Sequence, residues 1–120
     1  MNELSRRQVS LHDTFWTPRL QVNAERAIFH QWRMLEDSLC IDNFRIAAGE
    51  KDGFREGWFF ADSDAYKWLD AAARTYALWP SDTLKTRMDD FIGLLGRTQM
   101  EDGYIFTYNQ VHFPAERWET

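Results

Sequence analysis

The stretch of residues 57–78, GWFFADSDAYKWLDAAARTYAL, decides the fold. From residue 65 onward its apolar side chains recur every three or four positions, which is the spacing of one face of an α-helix. Asp62, Ser63 and Asp64 precede that pattern and supply the capping side chains and negative charge that favour a helix start. Several of the apolar positions are alanine, and small side chains let a neighbouring helix approach closely. The stretch therefore predicts a helix in a crowded multi-helix packing.

Helices are also predicted on both sides of this stretch. Downstream, Pro80 ends the helix and Ser81-Asp82 cap another, so that the two helices form an antiparallel hairpin with a tight connection. Upstream, Thr17-Pro18 resembles a helix start, and apolar residues spaced by three or four predict a first helix over residues 18–39. A short helix is predicted over residues 44–48, capped by Asp42-Asn43.

The remaining segments carry weaker signals. Residues 49–57, GEKDGFREG, hold three glycines and five charges and are predicted to be a loop. Residues 104–108 are β-prone in composition but have no visible strand to pair with, and residues 109–120 show no periodicity. The predicted fold class is therefore all-α, built from helical hairpins.

Composition and charge argue against several classes of function. The chain has 120 residues, enough for one domain, and 14 basic residues scattered among 19 acidic ones give a net charge of −5. Without a basic stripe, nucleic acid and anionic membranes are poor partners, and the apolar stretches are far shorter than the ~20 residues that span a bilayer. The start MNELSRRQVSL lacks the apolar core of a signal peptide, which predicts a cytoplasmic protein.

Cys40 is the single cysteine, so neither an internal disulfide nor a cysteine-based zinc site is expected within this chain.

The candidate site lies where aromatic residues meet paired carboxylates. The aromatic content of 16% exceeds what a small core needs and indicates either a larger core than this chain completes or an aromatic-lined cleft. Phe60 stands at the end of an element, where stacking on a ligand and core packing are both open. Asp62 and Asp64 are candidates for acid/base chemistry or hydroxyl binding, with helix capping as the alternative. His12, His30 and His112 are too dispersed to form a recognisable metal-ligand spacing.

The quoted stretch resembles the pattern F-x-D-S-D-x-Y-K-W-L-E-A-A-A of glycoside hydrolase family 127, whose type activity is β-L-arabinofuranosidase. The resemblance extends over nearly the whole chain in family order. It includes Phe15-Trp16-x-Pro18-Arg19, Ile41-Asp42-Asn43-Phe44-Arg45-x-Ala47-Ala48-Gly49, Met88-Asp89, Gln99, Asp102-Gly103-Tyr104, Thr107-Tyr108 and Arg117-Trp118. The D-S-D-x-Y-K-W-L string is specific, because capping alone does not require the Tyr-Lys-Trp that follows.

The resemblance implies an (α/α)6 barrel, of which residues 1–120 would be the amino-terminal fragment. It also implies carbohydrate binding at the barrel mouth by Phe60, Asp62 and Asp64, with an arabinofuranoside-like substrate. The family's catalytic zinc-bound cysteine and its other zinc ligands belong to later segments, and Cys40 matches none of them. No cofactor is therefore expected in this chain, although zinc is expected in the complete enzyme. A histidine-containing segment that normally follows Arg-Trp is also absent before Glu119-Thr120.

Two hypotheses follow from the sequence. In the first, the chain is the truncated amino-terminal part of a glycoside hydrolase, which supplies substrate-side residues, lacks the nucleophile and is inactive alone. It is then either a fragment or the partner of a complementary chain that carries the rest of the barrel. In the second, it is a stand-alone helical module that binds a partner protein through its aromatic surface and has no enzymatic activity.

Overall fold

The computed structural model describes residues 3–5 and 8–118, and this part of the chain contains helices and no strand. The predicted all-α fold class is therefore confirmed. Predictions that concern residues 1, 2, 6, 7, 119 and 120 lie outside the described residues.

The first helical region begins earlier than predicted. It runs without interruption through α1 (Trp16–Val22), a π-helical turn (Asn23–Ala27) and α2 (Ile28–Asp37). The predicted start at Pro18 is wrong because the Asp13 carboxylate accepts hydrogen bonds from the backbone N–H groups of Phe15 and Trp16. Asp13 therefore satisfies donors at the helix start, the task that the sequence assigned to Thr17.

The next helix, α3 (Cys40–Ala47), also begins earlier than its predicted start at residue 44. Leu39 separates it from α2 with a left-handed backbone conformation, φ +62°. Asp42 and Asn43 lie inside α3, where both are buried. The Asn43 side-chain amide exchanges two hydrogen bonds with the backbone of Glu56, 2.8 and 2.9 Å long. These tertiary partners override the usual preference of Asp and Asn for a cap.

The predicted hairpin consists of α4 (Asp62–Leu78) and α5 (Asp82–Thr98), preceded by a 3-10 turn at Phe59–Ala61. Ser81 caps α5 as predicted, since its side chain accepts a hydrogen bond from the Leu84 N–H at 3.2 Å. The rings of Trp68 in mid-α4 and Phe91 in mid-α5 lie 6.4 Å apart, as expected for antiparallel neighbours joined by a short turn.

The β-prone segment does not form a strand. Residues 104–106 have no regular secondary structure, and Thr107–His112 form a short helix, α6. The Thr107 N–H donates to the carboxylate of Asp62 at 2.7 Å, so a side chain from α4 stabilises the start of α6. Without a partner strand, the β-prone segment does not form a strand, and its end forms a helix whose first N–H donates to the buried Asp62 carboxylate.

The core lies between α2, α3, α4 and α5. Trp32 and Trp68 meet at its centre with ring centroids 4.5 Å apart, and the Trp68 indole N–H donates to the Ile28 carbonyl at 2.8 Å. Ala65 and Ala72 are fully buried, which confirms that small residues on α4 allow close approach. The whole cluster comprises Ile28, Trp32, Cys40, Ile41, Phe44, Ala65, Trp68, Ala72, Leu84, Met88, Phe91 and Leu94.

Candidate functional site

Two exposed aromatic rings lie side by side at the amino-terminal end of α4. The rings of Trp58 and Phe60, here called the ring pair, are parallel within 2° with centroids 6.3 Å apart. Trp58 is 73% exposed and Phe60 is 51% exposed. Phe59 lies between them in sequence and meets the Phe60 ring edge-on. Trp58 has an extended backbone, φ −68° and ψ 160°, while Phe60 follows inside the 3-10 turn, and both side chains are exposed.

Asp64 lies close to the ring pair in sequence, in the first turn of α4, and is exposed. Its carboxylate pairs with the Lys67 ammonium group at 3.2 Å, and both side chains are more than half exposed. An exposed ion pair of this kind contributes little to stability. The Asp64 carboxylate is therefore free to accept hydrogen bonds from a ligand.

Asp62 is placed differently, because only 2% of it is exposed. One carboxylate oxygen accepts from the Thr107 N–H, and the other accepts from the Thr107 hydroxyl at 2.5 Å and from the Arg55 guanidinium at 3.4 Å. No side chain caps α4, so neither Asp62 nor Asp64 performs the capping that the sequence offered as an alternative. Through its hydrogen bonds with Thr107, Asp62 joins the start of α4 to the start of α6.

Arg55 is the partner of Asp62 that sequence reasoning missed. It belongs to the glycine-rich loop 49–57, as predicted, yet its side chain is fully buried with 1% exposure. A charged residue in a polar loop is normally solvated, so loop composition gave no signal of burial. The available signal was Asp62 itself, because a carboxylate buried at a helix start needs a cation or several hydrogen-bond donors.

Cys40 is buried beside the site and is poorly suited to nucleophilic attack. Its thiol donates to the Ala61 carbonyl at 3.2 Å. Burial, followed by the nearby carboxylates of Asp62 and Asp64, raises the pKa of the Cys40 thiol to about 11. The reactive thiolate is therefore scarce at neutral pH.

The described residues do not form a metal site. In residues 3–5 and 8–118, no group of three or more His, Cys, Asp and Glu side chains is arranged to hold an ion. The residues present therefore do not fit the zinc that the family resemblance implies for a complete enzyme. Within the same described residues, no helix is both long and apolar enough to cross a membrane.

An apolar groove lies away from the predicted site residues. It has a volume of about 660 Å³ and a mainly apolar lining, contributed by residues 9–12, by α1 with the π-helical turn, and by the end of α4. Leu20, Leu78 and Trp79 are among the lining residues. None of Phe60, Asp62 and Asp64 lines this groove, so the groove and the predicted substrate residues occupy different parts of the molecule.

The packed helical hairpins define an all-α domain with exposed aromatic rings at the start of α4. A sequence model described as the β-L-arabinofuranosidase GH127 catalytic domain matches residues 8–120, and the chain belongs to glycoside hydrolase family 127. The resemblance stated from the sequence is confirmed.

Individual relatives agree with this assignment. A non-reducing end β-L-arabinofuranosidase from Bifidobacterium longum subsp. longum is 32% identical over 122 residues, covering 86% of this chain and 18% of that protein. The crystal structure of a GH127 β-L-arabinofuranosidase from Geobacillus stearothermophilus superimposes with a TM-score of 0.88 at 43% identity, covering 92% of this chain and 18% of the other. A second solved GH127 β-arabinofuranosidase gives a TM-score of 0.77 at 30% identity, covering 87% and 17%.

The chain thus spans less than a fifth of the length of the relatives it matches. Its helices correspond to part of the (α/α)6 barrel that the resemblance implied, incomplete in this chain. The stand-alone interaction module is not favoured, because the matching region is a catalytic domain of known enzymes.

Proposed function

We propose that this chain supplies part of the substrate-facing side of a β-L-arabinofuranosidase-type catalytic domain and binds an arabinofuranoside-like carbohydrate. The observation that carries the proposal is the exposed ring pair beside the exposed Asp64 carboxylate at the start of α4. Aromatic faces stack on the C–H surfaces of sugars, and carboxylates accept hydrogen bonds from sugar hydroxyls. The names of the relatives, all β-arabinofuranosidases, support a furanoside as the ligand class.

The three predicted substrate residues divide into two roles in this proposal. Phe60 and Asp64 have exposed surface and contact the sugar directly. Asp62 is 2% exposed and its oxygens already accept hydrogen bonds from Thr107 and Arg55. Asp62 therefore contributes by holding the start of α4 in place beneath the sugar.

The proposal assigns the bond-breaking chemistry to the part of the enzyme that this chain does not contain. The family resemblance implies a zinc-bound thiolate nucleophile, and the buried Cys40 thiol with its raised pKa is a poor substitute. The usual scheme of two catalytic carboxylates is not expected either, because Asp62 is enclosed by its own partners.

We also propose that the rest of the barrel is supplied by a complementary polypeptide, either continuous with this chain or separate, and that the protein acts in the cytoplasm. The exposed apolar side chains and the apolar groove support the first part. Cys40 is a buried free thiol, so this stretch of chain has no internal disulfide that would need an oxidising compartment. Cell fractionation with an antibody to the chain tests the location.

Substitutions in the predicted string test sugar binding. The test uses a hybrid in which residues 8–118 replace the matching segment of the Geobacillus enzyme. Phe60→Ala removes a stacking face and Asp64→Asn removes a charged acceptor, whose hydrogen bond contributes about 1.5–3 kcal/mol. Titration calorimetry with an arabinofuranoside should then show affinity reduced about tenfold to a hundredfold.

The matched control is Asp70→Asn, an exposed carboxylate further along α4 that pairs with Arg74. It should leave sugar affinity unchanged. If Phe60→Ala and Asp64→Asn lower the unfolding temperature markedly while sugar binds as before, the string is only a helix start and the proposal fails.

A further inference from the structure

Arg55 has an unusual position for a residue in a charged surface loop. It is the largest of the fully buried side chains among the described residues. One guanidinium nitrogen, Nη1, donates to the carbonyl oxygens of Gly57 at 2.9 Å and Trp58 at 2.8 Å. Nε donates to the Thr107 hydroxyl at 3.2 Å, and Nη2 donates to Asp62 at 3.4 Å. A buried charge persists only with such a set of partners, because desolvation is otherwise too costly.

These partners fix the backbone directly beneath the ring pair. Gly57 and Trp58 form the entry to the 3-10 turn, while Asp62 and Thr107 belong to α4 and α6. The planar guanidinium therefore joins three segments at once, which its fixed fork of donors allows. It also lies 5.1 Å from the centre of the Tyr108 ring, on its face. The orientation of the Trp58 ring depends on the carbonyl-bearing segment that Arg55 holds.

A buried arginine that only stabilised the fold would not need hydrogen bonds to the segment that carries the ring pair. Arg45 offers the comparison, since it also holds two carboxylates, with Nη1 at 2.8 Å from Glu36 and 2.6 Å from Asp42. The hydrogen bonds of Arg45 go to Glu36 and Asp42, outside the segment that carries the ring pair, whereas two of the four acceptors of Arg55 are backbone carbonyls of that segment. A change at Arg55, but not at Arg45, should therefore alter the orientation of the two rings.

We propose that Arg55 is a positioning residue that holds the Trp58 and Phe60 rings parallel for stacking on a carbohydrate. The proposal rests on the proposed function for its ligand, but the ring geometry can be measured without one. Arg55 acts through the loop carbonyls and through Asp62, and it does not touch the sugar itself.

The decisive variant is Arg55→Lys in the Geobacillus hybrid that carries residues 8–118. Lysine keeps the positive charge opposite Asp62, but one ammonium group cannot hold two carbonyls, the Thr107 hydroxyl and Asp62 together. NMR measures the nuclear Overhauser contacts between the Trp58 and Phe60 rings, and titration with methyl β-L-arabinofuranoside gives the Kd. We expect Arg55→Lys to lose the ring contacts and to raise Kd about tenfold or more.

Arg45→Lys is the matched control. It should lower the unfolding temperature while leaving both the ring contacts and Kd unchanged. Ring contacts that persist in Arg55→Lys overturn the proposal, and so does an equal loss of ring contacts in Arg45→Lys, which would reveal a general effect of stability.

A second variant covers the case in which Arg55→Lys does not fold. Thr107→Val keeps the side-chain shape and removes the hydroxyl that accepts from Arg55 and donates to Asp62. We expect weakened ring contacts and a rise in Kd of about threefold, while unchanged contacts overturn the proposal. If the hybrid with unchanged residues 8–118 shows the ring contacts yet binds no sugar, the proposed function fails and the ring contacts alone decide the role of Arg55.

Discussion

At the scale of single residues, burial separates side chains that look alike in the sequence. Asp62 and Asp64 stand two positions apart in one string, yet Asp62 is enclosed by Arg55 and Thr107 while Asp64 is exposed. A helix turns about 100° per residue, so positions two apart face opposite sides. Sequence reasoning found the string and its aromatic neighbour. The helical spacing of Ala65, Trp68 and Ala72 extends back to Asp62 and could have placed it on the buried face. Its partners Arg55 and Thr107 could not be predicted, because they lie in a polar loop and in a helix that the sequence did not reveal.

Cys40 gives a residue-scale prediction about alkaline pH. Burial raises the pKa of its thiol from the ordinary 9.0 to about 11 in the folded chain. The unfolded chain therefore loses this proton first, and the free energy of unfolding should fall as pH rises from about 9 to about 11. A difference of about two pKa units corresponds to about 2–3 kcal/mol.

Urea unfolding at several pH values measures this loss. In Cys40→Ala the free energy of unfolding should fall less between pH 9 and 11 than in the wild type. This holds even if the loss of the side chain also lowers the free energy of unfolding at pH 7. Burial also raises the pKa of Tyr66, so part of the decline should remain at still higher pH. An identical pH dependence in Cys40→Ala and the wild type would show that the thiol is not protected by the fold.

At the scale of elements, local signals located the hairpin well and the ends of the chain poorly. Ser81 and Pro80 act through bonds within a few residues, so the start of α5 could be predicted. The start of α3 could not, since Asp42 and Asn43 are drawn into the helix by partners in the loop that follows. The start of α6 depends on Asp62, which lies 45 positions earlier in the chain.

The break between α2 and α3 supplies a prediction at this scale. Leu39 has φ +62°, a left-handed conformation that costs an L-residue about 1–2 kcal/mol and costs glycine much less. Its side chain is 42% exposed, so little packing is lost on truncation. Leu39→Gly should therefore leave the free energy of unfolding unchanged or raise it by up to about 1 kcal/mol after the greater entropy of the unfolded chain is counted.

Met34→Gly is the control, because Met34 is similarly exposed at 47% but lies within α2. Glycine there should cost about 1 kcal/mol, measured by the same urea titration. Equal destabilisation by the two substitutions would contradict the assigned strain at Leu39.

At the scale of the whole molecule, the chain has the shape of a slab. Its Cα radius of gyration is 16.9 Å, and its principal extents are 53 × 36 × 23 Å. A compact domain of this length would have a radius of gyration of about 14 Å. Large apolar side chains such as Trp16, Trp58 and Phe60 remain exposed. The extended shape and the exposed apolar side chains are both expected of helices that pack against the remaining helices of a barrel.

This incompleteness predicts how the isolated chain behaves in solution. Exposed apolar surface on this scale drives association. On a sizing column the chain should form oligomers or aggregates as its concentration rises above that of dilute unfolding experiments, and adding the complementary part of the barrel should convert it into a defined complex. A chain that stays monomeric at every concentration would instead support an autonomous module.

The central claim is that the chain supplies substrate-side structure to a family 127 catalytic domain and takes its chemistry from the remainder. The most direct measurement is hydrolysis of an aryl β-L-arabinofuranoside by the chain alone and by the Geobacillus hybrid that carries residues 8–118. The account predicts turnover by the hybrid and none by the chain alone, with or without added zinc. Turnover by the chain alone that disappears in Cys40→Ser would contradict it, as would a folded hybrid that neither binds nor hydrolyses the substrate.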